Sequence, residues 1–283
     1  MIIKELNCLS SKLIKDIEKL ISACNKFDGV EHEINLDEGF NFNKYMNWLF
    51  VIYEGDIAVS VLSIFAPRKE EGEISACTLP SYREKGYFKK LYTRAIEELR
   101  KYNIPKKLFI CPKESKTGKA VIKKNNGIYK FAEYTMKFNK NEFVRLSKYT
   151  SKLIEININE LDKISKVASV IYNESLEEAR STMKNAIEAK ERIQFKLMFQ
   201  KNHIGMVAVH FYNNKVSIFS VGILPEYRGF GLGREMMCMV LEYLVKNNYG
   251  QIFLEVNSDN NIAFKLYKSL GFEVTTEIDY YEK

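Results

Sequence analysis

Leu224-Pro225-Glu226-Tyr227-Arg228-Gly229-Phe230-Gly231-Leu232-Gly233 lies between a strand-like run and a run of helical period. Its first eight residues have a counterpart 145 positions earlier, Leu79-Pro80-Ser81-Tyr82-Arg83-Glu84-Lys85-Gly86, in the same setting. The shared phrase is Leu-Pro-x-Tyr-Arg-x-x-Gly. A repeat that long exceeds a solenoid unit and matches a whole domain. Glycines allow a tight turn and bring bare N–H groups close to a ligand. The helix that follows adds unpaired N–H groups and the positive end of its dipole. The phrase therefore reads as a phosphate-binding turn, present twice in a duplicated chain of 283 residues.

Outward from the second turn, hydrophobic periodicity gives a clean order of elements. Lys152–Asn159 alternates as a strand, Leu161–Asn173 and Leu176–Lys190 have helical period, and Arg192–Gln200 and His203–Tyr212 form a hairpin. Asn213-Asn214 signals a second turn and Lys215–Leu224 a third strand, ended by Pro225, which cannot donate to a ladder. A helix over Arg234–Lys246, a strand over Gln251–Val256, a helix over Asn260–Leu270 capped by Gly271, and a strand from Phe272 complete it.

The first half repeats this order. The N-terminal stretch 1–24 is amphipathic and reads as a folded helix, bounded at Leu9–Phe27. Gly55-Asp56 joins Asn47–Glu54 to Ile57–Phe65, and Glu73–Leu79 runs into Pro80. Phe88, Leu91, Tyr92, Ala95, Ile96 and Leu99 form a helical stripe. Lys107–Cys111 follows as a strand, Lys116–Lys124 as a helix and Ile128–Phe138 as a strand. The polar, aperiodic stretch 139–151 sets two domains, 1–147 and 148–283, of mixed α/β class, each a mostly antiparallel sheet flanked by helices.

Composition narrows the function. No apolar run approaches the ~18 residues of a membrane span, so no membrane partner is expected. Five cysteines without a CxxC pair and three scattered histidines fit a reduced cytoplasmic protein with no metal. Charge is uneven: residues 1–145 carry 26 Lys+Arg against 19 Asp+Glu, and residues 100–145 carry 13 against 3. Either a surface for an acidic partner or a solvated lysine-rich face follows. With no aromatic-interleaved RNA motif, a nucleic-acid partner is not expected.

A dinucleotide-binding turn is a rival reading of the glycines, and Glu255 imitates its ribose-binding acid. The spacing is GxGxG, however, with Arg234 at the place of the third Rossmann glycine. Antiparallel hairpins upstream also argue against a βαβ unit.

Arg228-Gly229-Phe230-Gly231-Leu232-Gly233 resembles the acetyl-CoA-binding motif Arg/Gln-x-x-Gly-x-Gly/Ala of the GNAT superfamily of N-acetyltransferases. Leu254-Glu255-Val256, Asn260-x-x-Ala263-x-x-Leu266-Tyr267 and Leu270-Gly271-Phe272 are similar to the family's later signature. The resemblance implies acetyl transfer from acetyl-CoA, as co-substrate, to a small-molecule or peptide amine by direct attack. It places the thioester beside Ile223 and Leu224, with the Ile223 N–H as oxyanion donor. It gives the diphosphate to the amides from Gly229 through Phe230, Gly231, Leu232 and Gly233 to Arg234, with Arg228 fixing the turn or the phosphate. It also gives the pantetheine arm to Asn260 and protonation of the departing thiolate to Tyr267.

Several of these residues carry a second reading. Tyr267 shares a core stripe with Ala263, Leu266 and Leu270, and Asn260 is equally an N-cap. The strand Val216–Leu224 holds no ionisable side chain, so the general base is open between a water chain, Glu174, Glu177, Tyr280 and Tyr281. That gap leaves room for a non-catalytic acyl-CoA-binding protein as the alternative. In the first copy, Phe88 takes the place of the second motif glycine or alanine, and Lys116–Lys124 lacks the Asn-Ala-Leu-Tyr set. The resemblance therefore implies a degenerate first copy and an active site in the second. The terminal strand also looks one short of the family's usual end, so the other half is expected to complete the sheet.

Overall fold

The computed structural model describes residues 1–34, 36, 41–212 and 215–283. In chain order the first elements are β1 (Ile2–Leu6), α1 (Ser11–Asp28), β2 (Leu49–Glu54), β3 (Ile57–Phe65), β4 (Glu71–Thr78) and α2 (Tyr87–Lys101). Next come β5 (Lys106–Pro112), α3 (Lys116–Lys124), β6 (Ile128–Phe138), β7 (Lys152–Glu155), α4 (Leu161–Tyr172) and α5 (Leu176–Glu188). The chain ends with β8 (Arg192–Phe199), β9 (Asn202–Tyr212), β10 (Lys215–Ile223), α6 (Leu232–Lys246), β11 (Gln251–Asn257), α7 (Asn261–Ser269) and β12 (Phe272–Glu282).

Two compact units result. Unit 1 comprises residues 1–133 and 276–283, and unit 2 comprises residues 134–275. Strands in unit 1 lie in the order β1-β2-β3-β4-β5-β12-β6; in unit 2 the order is β12-β6-β11-β10-β9-β8-β7. The units are therefore not contiguous in sequence, unlike a linear division near 148. Ile278–Glu282 of β12 pairs antiparallel with Leu108–Pro112 in unit 1. Residues 134–138 of β6 stand beside β11 in unit 2 and supply the strand its own repeat lacks. Tyr280 Oη donates to Glu133 at 2.9 Å and Lys119 pairs with Asp279 at 2.9 Å, locking the chain end into unit 1.

In unit 1, Leu13, Ile17, Leu20 and Cys24 form the buried stripe of α1 at i, i+4, i+7 and i+11. Ser10 caps this helix by accepting from the Leu13 N–H, and Gly29 ends it in the left-handed region at φ 66. In unit 2 the stripe of α6, with Met236, Val240 and Leu244 fully buried, packs with Val207, Ile218 and Leu254 of the sheet. Burying such side chains contributes ~1.5–3 kcal/mol each.

Three local readings change. Residues 2–6 form β1, paired in register Ile2↔Tyr53 to Leu6↔Leu49, and are not part of the first helix. The β-branched pair Ile2-Ile3 suits a strand, and Ser10 sets where the helix can begin. β7 ends at Glu155, because Asn157 and Glu160 form a capping box just beyond it. α6 begins at Leu232, two residues before Arg234, because Gly231 takes φ 76 and serves as its N-cap. The turn assigned to Asn213-Asn214 lies outside the described residues.

Candidate active site

Strands β10 and β11 pair in parallel from Lys215↔Gln251 to Ile218↔Leu254. Beyond that point both strands continue, to Ile223 and Asn257, without further pairing among the described residues. A gap therefore opens between them towards their C-terminal ends. On the other side β10 pairs with β9, with a register shift between Phe219 and Gly222. Ser220 sits inside that bulge at φ 50, a left-handed conformation uncommon for a non-glycine residue.

The bulge is held from behind by α4. Tyr172 Oη donates to the Ser220 carbonyl at 2.6 Å, and a Cβ at Gly222 would meet Ile171 Cγ2 at 2.2 Å. Burial pushes the Tyr172 phenol well above its ordinary range, with Glu174 and Tyr267 adding a smaller electrostatic push. Tyr172 is a functional candidate that periodicity misses, because a tyrosine in the last turn of an amphipathic helix reads as packing. Of the four residues named as base candidates, Glu174 is the one tied to this cluster. Glu177 is exposed in the first turn of α5. Tyr280 and Tyr281 belong to unit 1, donating to Glu133 and Asp279.

Strand geometry sorts the backbone donors. Leu224 donates its N–H to the Ile204 carbonyl at 2.8 Å, which commits it to β9. Successive residues of a strand alternate, so the Ile223 N–H and carbonyl face the gap. Arg228 Nε donates to that Ile223 carbonyl at 2.9 Å. The arginine thus fixes the turn with one nitrogen, and its guanidinium has no ion pair among the described residues.

The loop itself is open. Gly229 and Gly231 have φ 83 and 76, conformations that favour glycine. Phe230 is 75% exposed, and Arg228 is exposed too. Leu232 and Gly233 occupy the first helical turn, where no intrahelical acceptor exists for their N–H groups. A Cβ at Gly233 would meet only ordinary contacts, Ile223 Cγ1 at 3.8 Å and Leu266 Cδ2 at 3.9 Å. Nothing within the fold therefore demands a glycine there. Arg234 differs from its neighbours: its N–H is taken by the Gly231 carbonyl at 3.0 Å, and its guanidinium binds Ser269 Oγ at 2.6 Å.

On α7, Asn260 Oδ1 accepts from the Ala263 N–H at 3.1 Å and caps the helix. Tyr267 is 6% exposed, with its ring 6.0 Å from that of Phe272. Burial pushes its phenol up to about 12, so it is protonated throughout the neutral range. Its hydroxyl has no hydrogen-bond partner among the described residues. Among the same residues no group of three His, Cys, Asp or Glu side chains is placed to hold a metal ion, and no helix is long and apolar enough to cross a membrane.

Two parallel strands that part in front of a glycine turn, a helix and a buried tyrosine make up the candidate site. Residues 161–272 match the model of the acetyltransferase (GNAT) family. The [Ribosomal protein bS18]-alanine N-acetyltransferase of Escherichia coli is 35% identical over 69 residues, 24% of this chain and 47% of that relative. The chain thus spans less than half the length of that curated relative.

Solved structures extend the likeness in fold. A GCN5-related N-acetyltransferase from Sphaerobacter thermophilus superimposes with a TM-score of 0.79, covering 100% of this chain and 95% of that one at 14% identity. A tandem GNAT protein from the clavulanic acid biosynthesis pathway does so with a TM-score of 0.67, covering 83% and 82% at 14% identity. The mixed α/β architecture, a mostly antiparallel sheet flanked by helices, is common to them.

Proposed function

We propose that unit 2 transfers an acetyl group from acetyl-CoA to a primary amine, and that the first copy of the turn has lost the diphosphate site. The observation that carries this reading is the free face of the second turn. Amides of Gly229–Gly233, the N-terminus of the 15-residue α6 and an arginine without a carboxylate partner converge on one exposed bend. Such a bend stabilises a diphosphate through N–H donors and the helix dipole. Arg234 contributes through its link to Ser269, and its amide serves the helix.

In this reading the Ile223 N–H, directed into the gap between β10 and β11, polarises the thioester carbonyl as charge develops on oxygen. The Tyr172 phenol keeps the bulge that aims it. Tyr267 donates its proton to the sulfur as the carbon–sulfur bond breaks, and a neutral amine is the nucleophile. Asn260 keeps its capping bond while its amide NH2 group meets the pantetheine arm. Glu174, adjoining Tyr172, is the candidate to take the proton lost by the attacking amine.

Release of free CoA thiol from acetyl-CoA in the presence of a panel of amines tests the reading. Amine-dependent release that falls on Tyr267→Phe substitution is expected. CoA binding without release under any amine would leave a non-catalytic acyl-CoA-binding protein in its place.

A further inference from the structure

Unit 1 contains a cavity of about 890 Å³ that the acetyltransferase reading leaves unused. It lies where two further parallel strands part. β4 and β5 pair from Glu71↔Lys106 to Ile74↔Phe109. Both then continue, to Thr78 and Pro112, without further pairing among the described residues. Ala76, Thr78, Ile110 and Pro112, all beyond the last pair, line the cavity, and side chains of α1, α2 and α3 complete its wall. Its volume is that of a pocket able to bury a drug-sized ligand.

Polarity is sorted along this wall. Around the parted strands it is apolar or aromatic, with Ile74, Ala76, Phe88, Tyr92, Phe109 and Ile122 lining it. The Phe88 and Tyr92 rings stack at 5.6 Å, and Tyr92 meets Phe109 at 5.4 Å. The polar groups on the α1 side are already paired. His32 Nε2 lies 3.0 Å from Ser75 Oγ, and Cys24 Sγ donates to the Thr78 carbonyl at 3.3 Å. Asp28 is engaged by Arg83 at 2.7 and 2.6 Å. An apolar ligand entering here breaks none of these pairs.

The rim has the opposite character. Lys89 of α2 and Lys124 of α3 line the cavity and are exposed, and neither has an ion pair among the described residues. Residues 100–145 carry 13 Lys+Arg against 3 Asp+Glu, so the surrounding field is positive as well.

We propose that unit 1 binds a single-chain carboxylate of fatty-acid type, its hydrocarbon chain seated between β4 and β5 and its carboxylate at Lys89 and Lys124. The wall asks for an apolar body, and the rim asks for one anionic end. A neutral apolar molecule leaves both lysines without a role. A diphosphate meets the compensated Arg83 and the Phe88 ring. The site is separate from the transferase reading, which concerns unit 2.

Calorimetric titration of octanoate, decanoate and decanol into the full chain, each below its micellar or solubility limit and without CoA, tests the proposal. One equivalent of decanoate is expected per chain, bound about 15-fold tighter than octanoate, since two further methylenes leave water. Lys89→Gln with Lys124→Gln is expected to weaken decanoate about fivefold and to leave decanol unchanged. Ala76→Phe, which fills the apolar part, is expected to abolish binding of both. No saturable binding, equal affinities for octanoate and decanoate, or indifference of decanoate to the two lysines would overturn the proposal. Displacement of decanoate by added CoA would overturn it too, by making the cavity a second cofactor site. The chain-length series on the unsubstituted protein decides the question even where Ala76→Phe fails to fold.

Discussion

The turns at Arg83 and Arg228 share one scaffold and differ in their charge. In each, the leucine N–H bonds back to the hairpin, at 2.9 Å from Leu79 to Val59 and 2.8 Å from Leu224 to Ile204. Each arginine Nε holds the carbonyl of the strand's last residue, Thr78 at 3.0 Å and Ile223 at 2.9 Å. The Leu-Pro-x-Tyr-Arg phrase is thus a structural lock common to both. What separates the copies is the rest of the guanidinium and the side chains that follow it. Asp28 grips Arg83 with two hydrogen bonds, Glu84 adds an acid at φ 64 where Gly229 stands at φ 83, and Phe88 replaces Gly233. An anion meets compensated charge and a ring in the first turn; in the second it meets open amides and an unpaired cation.

Rebuilding the second turn as the first breaks the contrast most severely. Gly229→Glu with Gly233→Phe is expected to weaken CoA binding by about 1,000-fold, roughly 4 kcal/mol, by calorimetric titration. Space is open for the pair, since a Cβ at Gly229 meets nothing within 4 Å and one at Gly233 only ordinary contacts, but φ 83 at Gly229 strains any side chain. A fall in stability of about 1–2 kcal/mol is expected to accompany the loss.

The next effect is confined to unit 1. Burial lowers buried His32 from 6.5 to about 4, with its Nε2 3.0 Å from Ser75 Oγ. Below 6.5 the unfolded chain takes up a proton that the folded chain resists. Stability is therefore complete above that value and drops as pH falls towards 4, by up to about 3 kcal/mol. Denaturant titrations across this window read the drop, and His32→Gln is expected to flatten it.

Tyr267→Phe is expected to lower kcat about 100-fold while the Kd for CoA stays the same, as single-turnover and binding measurements would register. Asp28→Asn sharpens the comparison differently. It frees Arg83 at a cost of about 1–2 kcal/mol, moderated because the pair is part-exposed. It creates no CoA site, because Glu84 and Phe88 remain. The smallest change is expected from Tyr172→Phe, roughly a few-fold in kcat/KM, as loss of one hydrogen bond loosens the bulge.

Much of this architecture was legible in local patterns. The bounds of α3 and β6 follow directly from periodicity and from the turn at Gly127, and Pro80 and Pro225 mark where β4 and β10 end. β1 escaped because Ile2–Leu6 is short and runs on into helical spacing before Ser10. The sharing of β6 and β12 depends on partners more than a hundred residues away, and the missing terminal strand was the one sequence signal for it. At the site, the turn and Tyr267 lie in contiguous motifs. Ser220 and Tyr172 do not, since a left-handed serine inside a strand and the phenol that holds it are tertiary facts.

The central claim is that the second turn alone holds the diphosphate of coenzyme A. Calorimetric titration of CoA into the full chain and into Arg83→Ala and Arg228→Ala tests it most directly. One CoA per chain, weakened about tenfold or more by Arg228→Ala and unaffected by Arg83→Ala, is predicted. Two equivalents bound, or a loss that follows Arg83 and spares Arg228, would contradict it.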